Sequence, residues 1–138
     1  MNDMIPFLAI GALFAAVVFL WLPPRPDTDL FASQSLTGRV RYVVDGDSLY
    51  LSNHAPQVRL WGVNTPEKGE AGFHAATNQL KRLAGGRKIR CQIMHRDKYG
   101  RTVARCYLPD GRDIGGLMID SGHAEEMRGF SRGYYSKR

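Results

Sequence analysis

The stretch RVRYVVDGDSLYL, from Arg39 to Leu51, decides the fold of this chain. Its first half alternates with a period of two, with Val40, Tyr42 and Val44 on one side, and this pattern predicts a half-buried strand. Asp45-Gly46 then interrupts the strand, where a turn or bulge can re-aim the next side chain. We therefore expect the carboxylate that follows the glycine to be presented at a strand edge.

The residues that follow predict a three-strand meander. Ser48–Leu51 has the pattern of a second strand and Gln57–Val63 that of a third, with a turn between them. Arg59 lies within the third strand, so a rigid element carries its side chain. The chain turns off the end of that strand, and we expect Asp47 and Asn64 to converge there.

Three separated motifs resemble the staphylococcal-nuclease (thermonuclease) family. They are VVDGDSL at Val43–Leu49, VRLWGVNTPE at Val58–Glu67 and DKYGRTVA at Asp97–Ala104, in the family's order and spacing. The resemblance covers about Leu36 to Tyr135. It implies a mainly β (α+β) fold, a five-stranded OB-type barrel with flanking helices, and a calcium-dependent nuclease that acts on DNA and RNA.

The resemblance implies a calcium site at the first two motifs. Asp47 and the side chain of Asn64 would bind Ca²⁺ together with the carbonyl of Thr65. Asp45 would lie next to these ligands without binding the ion directly. The family usually has aspartate where this chain has Asn64, and an amide oxygen brings no negative charge. Calcium affinity depends on ligand charge over orders of magnitude, so we expect binding to be weaker by roughly tenfold or more.

The same resemblance implies three catalytic side chains. Glu67 would position or deprotonate water, and Arg59 and Arg101 would stabilise the charge on the phosphoryl group. Phosphodiester hydrolysis needs a cation, a base and fixed positive donors, and this chain has a candidate for each. The alternative function is a weakened or inactive OB-fold module that only binds nucleic acid, because Asn64 departs from the family pattern.

Each of these motifs also has an ordinary structural interpretation. Asp45-Gly46 is a common hairpin turn, and Asp47 and Glu67 could be solvated carboxylates. Arg59 could be a surface residue of a strand, and Thr65-Pro66 is a plausible helix start. Each interpretation is reasonable alone, but three motifs in the family's order favour the enzyme.

One helix is predicted after the second motif and a shorter one near the C-terminus. The first covers Glu70–Ala84 and stops at Gly85-Gly86, and the second covers Gly115–Ser121. The apolar positions of the first helix are Ala71, Ala75, Leu80 and Leu83. The four histidines are scattered singly without metal-ligand spacing, and we assign them no role.

The two cysteines lie in a predicted hairpin that turns at Lys98-Tyr99. If those are the central residues of the turn, Cys91 faces Cys106 on an apolar face, and a disulfide fits this register. A glycine bulge at Gly100 would shift the pairing by one residue. The alternative is a pair of reduced, buried small side chains.

The domain has a strongly basic composition. From Leu36 to Arg138 it contains 18 Lys and Arg against 10 Asp and Glu, a net charge of +8. A polyanionic partner follows, although charge alone does not separate nucleic acid from anionic lipid. The basic tail carries Phe130, Tyr134 and Tyr135, which suits single-stranded nucleic acid, and a solvated tail is the alternative. We expect a monomer.

An apolar segment precedes the domain. Met4–Leu22 is a run of 19 uncharged, mostly apolar residues. It would be about 28 Å long as a helix, which predicts a transmembrane anchor within residues 1–22. A cleaved signal peptide is the alternative, but no Lys or Arg precedes the run and no Ala-x-Ala site follows closely. Residues 23–35, rich in proline, would link the anchor to a domain over residues 36–138.

The signals for membrane orientation conflict. Arg25, Arg39 and Arg41 follow the apolar run and no Lys or Arg precedes it, which by the positive-inside rule favours a cytoplasmic domain. A disulfide and a weak calcium site favour the outside, where calcium is millimolar. We expect an extracytoplasmic (periplasmic) domain on a membrane anchor, or export after signal cleavage.

Overall fold

Five strands close into a barrel in this computed structural model, which describes residues 34–138. The barrel strands are β1 (Ser35–Asp45), β2 (Ser48–Leu51), β3 (His54–Leu60), β5 (Lys88–Arg96) and β6 (Thr102–Tyr107). Their order around the barrel is β1-β2-β3-β6-β5. β3 and β6 are parallel, and the other neighbours are antiparallel. The predicted five-stranded barrel is confirmed, and it is consistent with an OB-type fold.

Smaller elements flank the barrel. The helices of the described residues are α1 (Phe73–Ala84), α2 (Ile114–Asp120) and α3 (Arg128–Ser131). A separate two-stranded sheet pairs β4 (Val63–Asn64) with β7 (Glu125–Glu126). This sheet places the predicted ligand Asn64 opposite Glu125, outside the barrel.

Strand β1 contains irregularities that the alternating pattern did not reveal. Its register against β2 shifts between Val40 and Tyr42, and again between Val43 and Asp45. Each shift adds a residue to β1, so Val40 and Val43 are buried while Tyr42 is 59% exposed. The predicted grouping of Val40 with Tyr42 and Val44 on one side is therefore wrong.

The predicted third strand consists of two elements. β3 stops before the turn at Trp61-Gly62 and β4 begins after it, because Gly62 adopts a φ of 70° that ends the extended conformation. The prediction of one strand over Gln57–Val63 is wrong. As a result Arg59 belongs to the barrel and Asn64 to the small sheet.

Helix α1 packs on the barrel through a face that includes the predicted Leu80 and Leu83 but not the predicted Ala71 and Ala75. Its buried side chains are Ala76, Thr77, Leu80 and Ala84. The helix begins at Phe73 instead of Glu70, so Ala71 precedes the helix and is exposed. Ala75 is also exposed, because the buried positions recur every four residues starting from its neighbour Ala76. The predicted stop at Gly85-Gly86 is correct.

The β5–β6 hairpin has the register predicted for the cysteines. Cys91 pairs with Cys106, and the two form a disulfide in the structure. The register shift lies between Ile93 and His95. Next to the turn, Arg96 pairs with Thr102, which is one residue away from the register centred on Lys98-Tyr99 and agrees with a bulge at Gly100, whose φ is 79°. The extra residue in β5 then restores the predicted pairing at the cysteines.

The C-terminal segment folds back onto the barrel. Tyr135 is 5% exposed, and its hydroxyl donates to the Trp61 carbonyl at 2.8 Å. The Tyr134 ring packs edge-on against the Trp61 ring, with centroids 5.6 Å apart, and the Arg105 guanidinium lies over both rings. The prediction that the tail stacks on nucleic acid is wrong for Tyr135, whose ring is buried, while the Tyr134 ring is half-buried against Trp61. Phe130 remains 64% exposed.

Glu126 fixes this segment. Its carboxylate accepts hydrogen bonds from the Ser131 hydroxyl at 2.6 Å, the Ser136 hydroxyl and the Tyr135 main-chain N–H at 2.9 Å. The bond from Ser131, followed by that from Ser136, lowers the pKa of Glu126 to about 2. The tail is thus tied to β7 as well as to the barrel.

The predicted transmembrane helix of residues 1–22 and nearly all of the predicted linker lie outside the described residues. Within residues 34–138, none of the helices is long and apolar enough to cross a membrane.

Candidate active site

Asp47 is a buried carboxylate at the start of β2. It is 5% exposed, and its Oδ2 accepts hydrogen bonds from the Thr65 main-chain N–H at 3.2 Å and from the Thr65 hydroxyl at 3.0 Å. The Nη2 of Arg59 lies 3.3 Å from the same oxygen. One carboxylate therefore joins the start of β2, strand β3 and the loop after β4. We expected Asn64 to converge with Asp47. Instead, its neighbour Thr65 contacts Asp47, and Asn64 is exposed.

The surroundings of Asp47 raise its pKa to about 6. Burial is the largest cause; the Arg59 guanidinium acts in the opposite direction, and the Asp45 carboxylate adds to the rise. The ionised form of Asp47 therefore lacks a full counter-charge. A cation beside it would favour that ionised form.

Asp45 and Gly46 shape the loop that presents Asp47. The Oδ1 of Asp45 accepts a hydrogen bond from the main-chain N–H of Asp47 at 3.0 Å. A Cβ on Gly46 would lie 2.7 Å from the Cβ of Ala76 and 2.8 Å from the hydroxyl of Thr65. This glycine is needed for close packing, so the Asp-Gly pair is more than an exposed hairpin turn.

Arg59 links this carboxylate to a cleft on the barrel. Its side chain is 15% exposed, and its Nη1 donates to the Leu60 carbonyl at 2.6 Å while Nη2 contacts Asp47. Two contacts hold the guanidinium in one orientation. The interpretation of Arg59 as a solvated surface residue does not agree with this burial.

Arg101 is oriented by the turn that precedes it. Its Nε donates to Asp97 Oδ2 at 2.7 Å, and Asp97 Oδ1 accepts from the main-chain N–H groups of Tyr99 and Arg101 at 2.9 Å each. Burial raises the pKa of the Asp97 carboxyl, but the hydrogen bonds from Arg101 and Tyr99 outweigh it, so the pKa is below its usual value. An ionised Asp97 therefore fixes both the turn and the arginine.

Arg59 and Arg101 line the same cleft, which has a volume of about 480 Å³. Tyr99, 72% exposed, and Phe130, 64% exposed, also line it. His95, to which we assigned no role from the sequence, lies there as well. No residue spacing in the sequence indicated a role for His95, because the fold of strand β5 is what brings its side chain to the cleft.

Glu67 is not brought into contact with the arginines. It is exposed on the loop before α1, and its main-chain N–H donates to the Glu70 carboxylate at 3.0 Å. Within residues 34–138 its own carboxylate has no hydrogen bond or ion pair. A separate cavity of about 240 Å³ lies on this side, lined in part by Asn64, Thr65 and Glu70.

The oxygen atoms around Asp47 are of the type that a hard cation prefers. The carboxylates of Asp45 and Asp47, the carbonyl of Thr65 and the amide oxygen of Asn64 are all potential calcium ligands. The described residues contain no group of three or more His, Cys, Asp or Glu that could hold a metal. These donors are therefore of the atom type that calcium prefers, but only two of them, the carboxylates, can carry a negative charge.

This barrel and its motifs belong to the staphylococcal nuclease family. The family described as "Staphylococcal nuclease homologue" matches residues 57–137, which include Arg59, Glu67 and Arg101. The resemblance expected from the three motifs is confirmed.

Several relatives carry nuclease names. An "Uncharacterized endonuclease" of Escherichia coli O157:H7 is 34% identical over 89 residues, covering 63% of this chain and 58% of the relative. The "Micrococcal nuclease" of Shigella flexneri is 28% identical over 139 residues, with 94% and 73% covered. The "Succinoglycan biosynthesis protein ExoI" of Rhizobium meliloti is 29% identical over 136 residues, with 92% and 67% covered. This chain thus spans little more than half of the Escherichia coli relative.

Proposed function

We propose that this protein is a calcium-dependent nuclease that hydrolyses phosphodiester bonds of DNA and/or RNA. The observation that carries the proposal is the shared cleft of Arg59 and Arg101, with the Arg59 guanidinium 3.3 Å from the buried carboxylate of Asp47. Two fixed guanidinium groups on one cleft suit a phosphodiester whose negative charge grows in the transition state. The nuclease names of the relatives support the same activity.

The chain's own residues divide the work. Arg59 and Arg101 bind the phosphoryl oxygens, and their contacts with Asp47 and Asp97 fix their orientation before substrate arrives. Glu67, exposed on its loop, positions or deprotonates the attacking water. Asp47, Asn64 and the Thr65 carbonyl would hold the calcium ion, which would supply positive charge next to the phosphate.

The rim of the cleft supports nucleic acid as the substrate. Tyr99 and Phe130 expose aromatic rings on the cavity that holds the two arginines. Bases of a single strand stack on such rings regardless of sequence. The net charge of +8 from Leu36 to Arg138 attracts the phosphate backbone of DNA and of RNA alike.

A nucleic-acid-binding module without activity is the second candidate. The observation that favours it is the exposed amide of Asn64, in a donor set with few carboxylates. Such a module would use the arginines and aromatic rings of the same cleft. It would bind a single strand without cutting it.

The two candidates are separated by digestion of DNA and RNA with the full chain in detergent, across a calcium titration. Arg101→Ala should lower turnover about a hundredfold or more, the usual effect of losing one transition-state donor. Arg112→Ala is the matched control, since Arg112 pairs with Asp110 at 2.8 Å as Arg101 pairs with Asp97 at 2.7 Å. Equal rates for wild type and Arg101→Ala would refute the assignment. No cleavage at millimolar calcium would leave the binding module.

We further propose attachment to a membrane through residues 1–22, with an extracytoplasmic domain. The uncharged run Met4–Leu22 supports attachment. The disulfide between Cys91 and Cys106 supports an oxidising compartment. The arginines that follow the apolar run oppose this orientation, but folded domains translocate largely regardless of charge. Protease accessibility of the domain in spheroplasts tests the orientation.

A further inference from the structure

We propose that a second surface of the barrel binds anionic lipid headgroups of the membrane to which the chain is attached. We call it the basic face. It consists of Arg39 and Arg41 on β1, Arg87 just before β5, and Lys88 and Arg90 on β5. This inference rests on the proposed membrane attachment and does not depend on the proposed nuclease activity.

Strand register brings these cations together. β1 pairs with β5 so that Arg39 lies opposite Lys88 and Thr37 opposite Arg90. Lys88 and Arg90 are exposed while Ile89 between them is buried, so both cations point outward. One strand pair therefore presents its cations on a single side.

The bulge in β1 extends the basic face. Arg41 and Tyr42 are both exposed, although neighbours in a regular strand point to opposite sides. The Arg41 guanidinium lies 5.7 Å from the Tyr50 ring. Likewise, the Arg90 guanidinium lies 4.6 Å from the Tyr107 ring. Arginines beside tyrosine rings are a combination that suits the headgroup region of a bilayer.

The positive charge of this face is not neutralised within the described residues. In residues 34–138 none of the five cations forms an ion pair. The carboxylate that interacts with Arg87, that of Asp110, is paired with Arg112 at 2.8 Å. The charge is therefore available to an external anion.

A cleft beside these cations has the chemistry of a headgroup site. It measures about 370 Å³, and its lining combines Lys88 and Arg90 with the apolar side chains of Ile89, Leu108 and Pro109. Cations at an apolar hollow suit a phosphate attached to a glycerol backbone. It shares no lining residue with the cleft of Arg59 and Arg101.

The basic face is also distant from the nuclease cleft. Lys88 lines one cleft and His95 the other, and these positions are seven residues apart along β5, which corresponds to roughly 23 Å of strand. Lipid bound at one end would leave the other end open to nucleic acid.

The point at which the chain enters the barrel, at Ser35, favours lipid over nucleic acid as the occupant of the basic face. The described structure begins at Gln34, and Ser35 is the first residue of β1 and pairs with Gln92 of β5. Only residues 23–34 separate this point from the uncharged run Met4–Leu22. Twelve residues reach no further than about 40 Å even when fully extended, so the basic face stays close to whatever holds that run. Such tethering raises the effective concentration of headgroups at the face.

The test measures acetylation of Lys88 by mass spectrometry, with the full chain reconstituted in nanodiscs of phosphatidylcholine alone or mixed with phosphatidylglycerol. Lys68, exposed beside Glu67, is the internal reference. One cation near an anionic surface contributes about a fivefold change in affinity, so the anionic discs should slow Lys88 acetylation at least about fivefold. High salt should reverse this protection.

Charge reversal provides the matched comparison. Arg41→Glu combined with Arg90→Glu should abolish the protection of Lys88, whereas Arg132→Glu combined with Lys137→Glu, the same charge change on the C-terminal segment, should leave it intact. Thermal unfolding of each variant verifies the fold. Equal acetylation of wild-type Lys88 in both kinds of disc would overturn the proposal.

Two further arms separate the sources of a negative result. Protection of Lys88 by a phosphorothioate oligonucleotide without calcium, and not by anionic discs, would mean that the face binds nucleic acid and that the lipid proposal is wrong. A chain that fails to copurify with neutral discs would contradict the attachment through residues 1–22. The Lys88 measurement with anionic discs added to that soluble chain would still decide whether the face binds lipid.

Discussion

Phe130 and Tyr135 lie five positions apart in the same C-terminal segment, and their substitution should separate nucleic-acid binding from stability. Tyr135 is 5% exposed and Phe130 is 64% exposed. Tyr135→Phe removes the hydroxyl that donates to the Trp61 carbonyl at 2.8 Å. Phe130→Ala removes a ring from the cleft that holds Arg59 and Arg101.

The expected magnitudes follow from these surroundings. A partly buried carbonyl that loses its donor costs about 1–3 kcal/mol, so Tyr135→Phe should lower the free energy of unfolding by that amount. Phe130→Ala is a surface substitution and should change the free energy of unfolding by about 0.5 kcal/mol at most. Loss of one base-stacking contact costs about 1–3 kcal/mol, which corresponds to a roughly 5- to 150-fold weaker affinity for a single strand.

Urea unfolding followed by fluorescence gives the stability of both variants. Fluorescence anisotropy with a phosphorothioate oligonucleotide, without calcium, gives their affinity. Tyr135→Phe should bind like the wild type under conditions where it is folded. The reasoning is refuted if Phe130→Ala binds as tightly as the wild type, or if Tyr135→Phe weakens binding without a loss of stability.

Three further predictions concern the carboxylates and the cysteines. Asn64→Asp adds a negative ligand and should lower the calcium concentration for half-maximal cleavage or binding by about tenfold or more, measured by calorimetry; an unchanged requirement would show that this side chain is not a ligand. The pKa of Asp47, about 6, is above its ordinary value of 3.8, so folding favours the protonated form. The stability that this contributes is complete below about pH 4 and is lost as the pH rises through about 6. Asp47→Asn should therefore flatten a fall of up to about 3 kcal/mol in metal-free urea unfolding across that range, and parallel pH profiles would contradict the shift. Reduction of the Cys91–Cys106 bridge, which spans 15 positions, should cost about 3 kcal/mol in the chain-entropy model. Non-reducing mass spectrometry of protein isolated from its native cells should find the bridge, and two thiols that alkylate without reductant after unfolding would exclude it.

Local sequence patterns were sufficient to predict the turns that carry Asp47 and Arg101. Asp47 follows an Asp-Gly break in a strand, and Arg101 follows a turn whose first residue is Asp97. Both features depend on residues close in sequence, and the structure places each where its motif predicts a turn. The cysteine pairing was also predicted, but it depends on the extra residue of β5 between Ile93 and His95, which the sequence pattern did not reveal.

Features that depend on distant packing were not predictable in the same way. The bulge in β1 depends on how β2 pairs with it, and it reverses the orientation expected for Tyr42. The packing of Tyr134 and Tyr135 depends on Trp61 and Arg105, which lie at least 29 positions earlier. A basic, aromatic composition could not distinguish rings that pack on the barrel from the exposed ring of Phe130.

The charge around Asp47 links the two candidate functions. Its buried carboxylate is costly to ionise without a nearby cation, and in this structure the cation is Arg59 at 3.3 Å. A bound calcium would supply the counter-charge and free Arg59 to interact with phosphate, but Asn64 contributes no charge to hold that calcium. Under the proposed calcium dependence, low calcium would favour a state in which Arg59 stays with Asp47 and the cleft binds nucleic acid chiefly through Arg101 and its aromatic rings. On this proposal the same chain would bind without cutting at low calcium and cut at high calcium.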